Sequence, residues 1–375
     1  MIKFLSLFSG IGAFESALKN LGIDFEVVNY CEIDKYASKS YSMIHNIPET
    51  KNLKDVTEVT EWDVLDRVDL ITYGFPCQDI SLAGKQKGLI NEDGSLTRSG
   101  LFFKALDIIK WYKPKIAIAE NVKNLTSKKF SEQFRIVLDS LDEAGYNCYW
   151  KVLNAKDYGI PQNRERVFII SIRKDIDNGS FNFPEPMPLE LRLKDMLEDE
   201  VDEKYYLSEK MFNYVLDVNG TQKGTAWDGR ADNDTLNSKV AHTISVRGAT
   251  GCQRAGVSNF IVDGLDEEIK VKDFKIMVMG NYSPSGHDAS RIVHPDGIAP
   301  TVKENHGTVT AVTENLKVRK LTPRECFRLM GFKDEEFNKI IGISNAQLYK
   351  QAGNSIVVNV LEAIFKNIHE TRILT

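Results

Sequence analysis

The sequence contains little cysteine, no long hydrophobic run and no repeated or low-complexity segment. Its cysteines lie at least 46 positions apart, and none belongs to a CxxC or HxxC pair. This spacing argues against a structural zinc site and a disulfide framework, so we expect no metal and a reducing, cytoplasmic compartment. The apolar start is broken by Gly10 and Gly12, which favours a buried first strand over a signal peptide. No apolar run reaches the roughly 18 residues that a membrane span needs.

An excess of positive charge is also missing. The chain has 48 Lys and Arg residues against 53 Asp and Glu residues, a formal net charge of −5. Such a balance does not by itself indicate a nucleic-acid-binding protein. The length of 375 residues and the hydrophobic share of 42% are typical of a globular enzyme with two or three domains.

Short apolar runs alternate with helical patterns over the first 175 positions. The predicted strands are 4–8, 25–30, 70–73, 116–119, 149–153 and 166–172. The predicted helices between them are 13–21, 34–45, 102–112 and 131–144. This alternation predicts an α/β fold with a doubly wound, Rossmann-like, mostly parallel sheet.

The composition changes after Phe183, where three prolines follow within five positions. Residues 221–318 are rich in Gly, Asn, Ser and Thr, with short β-like runs at 274–279 and 308–312. Helical patterns return at 323–330, 345–351 and 356–368. The sequence therefore predicts a second, smaller domain that is rich in loops and β-structure.

A glycine-rich turn, FSGIG at residues 8–12, joins the first strand to the first helix. Glycines at such a turn allow the backbone to approach a cofactor, and Glu32 follows Gly12 at the distance expected for an acid that binds a ribose. The third glycine of the dinucleotide pattern is absent, which favours a nucleoside cofactor without a pyrophosphate, such as S-adenosylmethionine. The alternative is a plain strand-to-helix turn.

Three further motifs converge on the carboxyl edge of the predicted sheet, where ligands of such folds bind. Cys77 follows the third strand within GFPCQ, and a thiol placed there can act as a nucleophile rather than as a small buried hydrophobe. Glu120 follows the next strand, as a catalytic acid or a structural cap. Arg164 and Arg166 open another strand on one face, as ligands or as a salt-bridged edge.

In their order, these motifs resemble those of the DNA (cytosine-5) methyltransferase family. The order runs FSGIGAF, CEID, GFPCQ, ENV, QNRER, a variable region, RKLTPRE and QAGNS. The resemblance covers nearly the whole chain except about 180–318. It implies a discontinuous catalytic domain, residues 1–183 plus 319–375, interrupted by a target-recognition domain at 184–318.

The resemblance also implies the chemistry. Cys77 would attack C6 of a cytosine flipped out of the duplex, so that C5 accepts the methyl group of S-adenosylmethionine and S-adenosylhomocysteine is released. Glu120 resembles the acid that contacts N3 and the exocyclic amine. Arg166 resembles the residue that binds O2, and Arg164 would support the nucleophile loop.

The cofactor pocket is carried over in the same way. Phe8 and Ile33 would pack on adenine, Gly10 and Gly12 would lie near the methionine moiety, and Glu32 would bind the ribose. Asp55 and Val56 match the next adenine contact, although Lys54 replaces the glycine that usually precedes it. The resemblance completes the pocket with Pro76, Leu101, Asn354 and Ser355.

Double-stranded DNA is the implied partner of a monomeric enzyme, with a cognate restriction endonuclease as a second partner in a restriction–modification system. Residues 81–100 resemble the loop that closes over the flipped base. The residues expected to contact DNA are Ser81, Lys85, Gln86 and Arg98 in that loop, and Arg230, Arg247, Arg254 and Arg291 in the recognition region. Two segments, 242–248 and 297–302, both resemble the family's recognition element.

Three alternatives remain at this point. The tRNA-methylating branch of the same family tends to have a smaller recognition region. An inactive DNA-binding or regulatory protein would not need Cys77, Glu120, Arg164 and Arg166. A dehydrogenase follows only if the glycine-rich turn is considered alone. If the DNA hypothesis is correct, positive charge must concentrate at the cleft, and acidic runs such as 198–203 must lie elsewhere.

Overall fold

The computed structural model describes residues 1–64, 66–76, 89, 97, 99–206, 278–281, 291–293, 295–301, 311–314 and 317–374. Its strands are β1 (Ile2–Leu7), β2 (Phe25–Cys31), β3 (Leu70–Tyr73), β4 (Ile116–Val122), β5 (Tyr146–Asn154), β6 (Gln162–Asn163), β7 (Glu165–Arg173), β8 (Val278–Asn281), β9 (Arg291–Val293), β10 (Ala299–Pro300), β11 (Ala311–Glu314) and β12 (Lys317–Lys320). Its α-helices are α1 (Ala13–Asn20), α2 (Lys35–His45), α3 (Phe102–Tyr112), α4 (Ser131–Glu143), α5 (Pro323–Arg328), α6 (Asp334–Asn338), α7 (Asn345–Asn354) and α8 (Val358–Glu370).

A six-stranded sheet in the order β2-β1-β3-β4-β7-β5 organises the fold. The first four strands of that order are parallel, whereas β7 runs antiparallel to both of its neighbours. Val122 at the end of β4 therefore pairs with Arg166 at the start of β7. This reversal brings the beginning of β7 to the carboxyl edge of the parallel strands, as the convergence of the motifs requires.

The helices cover both faces of this sheet, because the strands are apolar on both sides. Phe4 of β1 belongs to one core cluster together with Phe14 of α1 and Phe365 of α8. Leu5, on the opposite face of the same strand, belongs to a second cluster with α3 and α4. The predicted doubly wound α/β arrangement is confirmed.

The predicted elements recur with small shifts at their ends. Asp34 precedes α2 as its N-cap and accepts hydrogen bonds from the backbone of Tyr36 and Ala37. Strand β5 begins at Tyr146, three positions before the predicted start. Helix α6 was not predicted, because it is too short to show a helical period.

The two ends of the chain pack against each other. The rings of Phe14 in α1 and Phe365 in α8 meet edge to face at 6.2 Å, and Asn20 donates a hydrogen bond to Glu362. The packing supports one domain built from both chain ends. Its boundaries, 1–183 plus 319–375, remain a prediction.

Parts of the predicted recognition region are described as well. Strands β12, β11, β9 and β8 form a separate four-stranded sheet, in that order. Strand β10 pairs in parallel with β6, and the hydroxyl of Thr301 donates a hydrogen bond to the Asn163 carbonyl. This part of the region therefore contacts the segment that leads into β7 of the six-stranded sheet. Within the described ranges, none of the helices combines the length and apolarity that crossing a membrane requires.

Candidate active site

Glu120 and Arg166 form an ion pair at the carboxyl edge of β4. Nε of Arg166 lies 3.1 Å from Oε1 of Glu120, and the two side chains are only 18% and 12% exposed. Burial raises the pKa of the Glu120 carboxyl, while the charges of Arg166 and Arg164 lower it in part. The site therefore combines the Glu120 carboxyl, which retains a proton more readily than an exposed glutamate, with the positive charge of Arg166 beside it.

Arg164 lies between β6 and β7 and is buried. Its guanidinium donates to the carbonyl oxygens of Gly353, at 3.1 Å, and Ser355, at 2.7 Å. These bonds attach the C-terminal segment to the start of β7. The predicted support of the nucleophile loop concerns residues outside the described ranges.

The approach to Cys77 is held by Asn121. Its amide donates to the carbonyl oxygen of Phe75 at 3.0 Å, and its own carbonyl accepts from the backbone of Val122. Phe75 is buried, and Pro76 is the last described residue before Cys77, which itself lies outside the described residues. Asn121 belongs to the ENV motif, but this role was not predicted for it.

The glycine-rich turn contains three left-handed residues, Phe8, Gly10 and Gly12. A positive φ of 53° is uncommon for a bulky residue such as Phe8, and such strain occurs most often at functional sites. The two glycines differ in their surroundings. A Cβ at Gly10 would meet nothing within 4 Å, whereas one at Gly12 would lie 2.1 Å from Nε2 of His45. Gly10 therefore faces open space, and packing accounts for Gly12.

Glu32 joins this turn to the end of β2. Its two carboxylate oxygens accept hydrogen bonds from the backbone of Gly10 and Asp34, each at 2.8 Å. Burial is the main cause that raises the pKa of this carboxyl. Asn52, a residue that the sequence analysis missed, binds both the backbone N–H and the carbonyl of Glu32.

An apolar side chain stands beside this acid. Ile33 is 73% exposed, which is unusual for isoleucine and suits a residue that packs against a ligand. The structure therefore fits a nucleoside: a carboxylate, an exposed aliphatic side chain and an open glycine meet at one edge.

The remaining pocket residues lie in the described part. Asp55 accepts from Thr57, Val56 is buried, and Leu101 ends a short 3₁₀ turn before α3. Lys54 adopts a φ of 62°, which explains why the family usually has glycine there. Asn354 is exposed at the end of α7, and the adjacent Ser355 is buried.

Most residues predicted to contact DNA lie outside the described ranges. They are Ser81, Lys85, Gln86, Arg98, Arg230, Arg247 and Arg254. Arg291 is the first residue of β9. The described residues contain no cluster of three or more His, Cys, Asp or Glu side chains arranged to hold a metal ion.

Comparison with known proteins decides which family uses this site. The family model for the C-5 cytosine-specific DNA methylase matches residues 2–370. This chain belongs to that family. The predicted resemblance is confirmed, and with it the prediction of a DNA cytosine methyltransferase. The dehydrogenase alternative was wrong.

Individual relatives match the methyltransferase over nearly its whole length. It is 34% identical to the orphan methyltransferase M.SPRI of Bacillus phage SPR, covering 99% of this chain and 98% of that protein. It is 35% identical to the type II methyltransferase M.HhaI of Haemophilus parahaemolyticus, covering 98% and 94%.

Solved structures show the same fold. The methyltransferase EhMeth of Entamoeba histolytica gives a TM-score of 0.66 at 17% identity, with 99% of this chain and 98% of that chain covered. The Dnmt2 methyltransferase of S. pombe gives 0.62 at 21% identity, with 99% of each chain covered. These structures confirm the α/β methyltransferase fold.

Proposed function

We propose that this family member is a sequence-specific methyltransferase that modifies C5 of a cytosine flipped out of duplex DNA. The observation that carries the proposal is the buried pair of Glu120, on β4, and Arg166, on β7, 3.1 Å apart. Strand β4 lies next to β3, which leads to Cys77. A carboxyl group with a raised pKa and an adjacent guanidinium suit N3 and O2 of a cytosine. A cytosine in duplex DNA must lose its base pair and leave the helical stack to reach these two side chains.

In the proposed reaction, the Cys77 thiolate forms a bond to C6. Glu120 donates a hydrogen bond or its proton to N3, which receives the electron density that develops on the ring. Arg166 binds O2 and keeps Glu120 in place. C5 gains the methyl group and then loses its proton to water. The electrons of that C–H bond restore the double bond between C5 and C6, and the bond between Cys77 and C6 breaks, which regenerates the thiolate. Any proton on N3 returns to Glu120 as 5-methylcytosine is released.

S-Adenosylmethionine would supply the methyl group and leave as S-adenosylhomocysteine. The carboxylate of Glu32 would accept hydrogen bonds from the ribose hydroxyls, using the lone pairs that its two backbone hydrogen bonds leave available. Phe8 and Ile33 would enclose the adenine, and Gly10 would allow close approach of the backbone. Gly12, Asp55, Val56, Pro76, Leu101, Asn354 and Ser355 complete the proposed pocket.

Target recognition is proposed for the 184–318 region. Of the two candidate recognition segments, 242–248 lies outside the described residues, whereas residues 297–301 lie beside Asn163, next to Arg164. That position supports a role for the second segment near the target base. The proposed enzyme acts as a monomer in the cytoplasm, and a cognate endonuclease would share its recognition sequence.

The test uses tritiated S-adenosylmethionine with duplex DNA, and tRNA in a parallel reaction. We expect the label in DNA, and bisulfite sequencing then identifies the methylated sequence. Cys77→Ser abolishes incorporation, whereas the control Cys148→Ser, on β5, retains it. Incorporation by Cys77→Ser would contradict the covalent mechanism, and label in tRNA alone would favour the tRNA-methylating branch.

The recognition assignment has its own test. Exchange of residues 220–318 for the corresponding block of another family member should transfer that member's methylated sequence. An unchanged bisulfite pattern would place recognition outside this region.

A further inference from the structure

A buried acid stands directly behind the glycine-rich turn and takes no part in the proposed chemistry. Glu15 lies in the first turn of α1 and has no exposed surface. Its Oε1 accepts a hydrogen bond of 2.7 Å from the hydroxyl of Tyr41, which is also fully buried. Its Oε2 has no hydrogen-bond partner of normal geometry among the described residues. A fully ionised carboxylate is poorly satisfied in such a place.

The partner of Glu15 belongs to a layer that supports the turn from α2. The ring of Tyr41 contacts the ring of His45 at 4.9 Å, and Nε2 of His45 lies 2.9 Å from the carbonyl oxygen of Ile11. The same His45 ring fills the space where a side chain at Gly12 would lie. Tyr41 is therefore connected to the turn through the side chain of His45.

The same layer reaches Glu32. Tyr41 stacks on Tyr30 at 4.1 Å, and the Tyr30 hydroxyl is 3.0 Å from that of Ser38. Asn52 donates to Ser38 and also to the carbonyl of Glu32. Glu15 is thus connected by contacts to both sides of the proposed cofactor pocket, the turn and the ribose-binding acid.

We propose that Glu15 is a positioning residue for the cofactor pocket: while it is neutral, Tyr41 and the His45 layer stay closely packed, whereas its ionisation draws water to the buried, unpartnered Oε2, loosens this layer and weakens S-adenosylmethionine binding. The proposal rests on the proposed function, because it assigns the turn to that cofactor. It adds a residue that touches neither the cofactor nor the cytosine.

Among the described residues, none of the groups that shift the pKa of Glu15 is a cation. Tyr41 faces it from α2, the rings of His45 and Tyr30 contact Tyr41 in turn, and Ser6 faces Glu15 from β1. Burial raises the pKa of Glu15 to about 7, and the hydroxyls of Tyr41 and Ser6 lower it only in part. Burial also lowers the pKa of His45 to about 4, so this ring stays neutral over the range in which Glu15 titrates.

Calorimetric titration with S-adenosylmethionine from pH 6 to 8.5 tests the proposal. If only the neutral form binds, affinity falls tenfold per pH unit above 7, or about 30-fold at pH 8.5, and partial coupling gives a smaller loss. We expect at least a threefold loss for the parent protein. Glu15→Gln, which stays neutral, should bind as the parent does at pH 6 and keep that affinity at pH 8.5.

A matched control is available on the same helix. Glu336→Gln changes another buried acid, which contacts α1 through Ser16 rather than through Tyr41, and should keep the pH dependence of the parent. Comparison of variants at each pH cancels the ionisation of the ligand itself. Hydrogen exchange of residues 8–14 in the ligand-free protein gives a second readout, with protection that falls above pH 7 in the parent and in Glu336→Gln but not in Glu15→Gln.

Three outcomes would overturn the proposal. The first is a parent affinity that does not change with pH, and the second is an equal pH dependence in Glu15→Gln. The third is absence of S-adenosylmethionine binding at every pH, which would overturn the proposed function as well and is thereby distinguishable from the first two.

Discussion

The buried ion pair between Arg319 and Glu325 offers a direct test of how the chain is fixed where it returns to the catalytic part after β12. Both side chains have no exposed surface, and two hydrogen bonds of 2.9 Å join them. Glu325 also accepts from the backbone of Thr322 and Glu198, so its carboxylate has four donors. Glu325→Gln replaces one acceptor oxygen by a donor and leaves the Arg319 charge without its carboxylate.

The expected cost follows from this geometry. Removal of one partner of a buried pair typically costs about 3–5 kcal/mol, because the other charge stays buried. Since a folded domain is stable by roughly 5–15 kcal/mol, Glu325→Gln should remove about a fifth or more of the free energy of unfolding. The double variant Arg319→Met with Glu325→Gln buries no net charge and should recover at least about 2 kcal/mol.

Urea denaturation provides the measurement, since urea does not screen charges. The exposed pair Arg135–Asp139, whose side chains are 72% and 65% exposed at 3.9 Å, serves as the control. Arg135→Gln should change the free energy of unfolding by less than about 0.5 kcal/mol. A cost below about 1 kcal/mol for Glu325→Gln, or a double variant no more stable than the single one, would refute the reasoning.

Three further predictions concern the site. Gly12→Ala should lower the free energy of unfolding by more than about 2 kcal/mol in urea denaturation, because its Cβ would overlap His45. Gly10→Ala should lower it by only about 1 kcal/mol, for its left-handed backbone, but should weaken S-adenosylmethionine binding in calorimetry. Equal losses of stability in the two variants would contradict this difference. Asn121→Ala removes the hydrogen-bond donor of the Phe75 carbonyl. Methylation kinetics should therefore show a lower kcat with little change in KM for the cofactor. An unchanged kcat would exclude the positioning role. For Glu15, the folded-state pKa of about 7 lies above the ordinary value of 4.5, so the folded protein holds a proton that the unfolded protein releases. The contribution of Glu15 to stability is fully present below pH 4.5 and is lost as the pH rises through 7, by on the order of 3 kcal/mol. Glu15→Gln should lack this decline in urea denaturation measured across the same pH range.

Much of the fold was predictable because the chemistry-bearing residues follow apolar strands at regular places. Glu32 directly follows β2 and Glu120 lies near the carboxyl end of β4, so their position at one edge of the sheet follows from the pattern alone. Helices α3 and α4 show a clear helical period and were predicted nearly to their ends.

Other features could not be predicted, since they depend on contacts between distant segments. No sequence pattern indicates that Arg164 binds carbonyl oxygens near the C-terminus, or that Asn121 binds the backbone before Cys77. The buried state of Glu15 was hidden, because an acid in the first turn of a helix is usually exposed and favourable there. Only the packing of α2 reveals that this one is not.

The attachment of the C-terminal segment has a consequence for how the enzyme is made. Arg164 is synthesised long before the carbonyl groups of Gly353 and Ser355 that it binds, and α1 before its partner α8. The buried core that α1 and α8 share can therefore form only after the C-terminal segment has been synthesised. A nascent chain released early would expose the apolar face of α1, and the fold would be complete only after translation had reached α8.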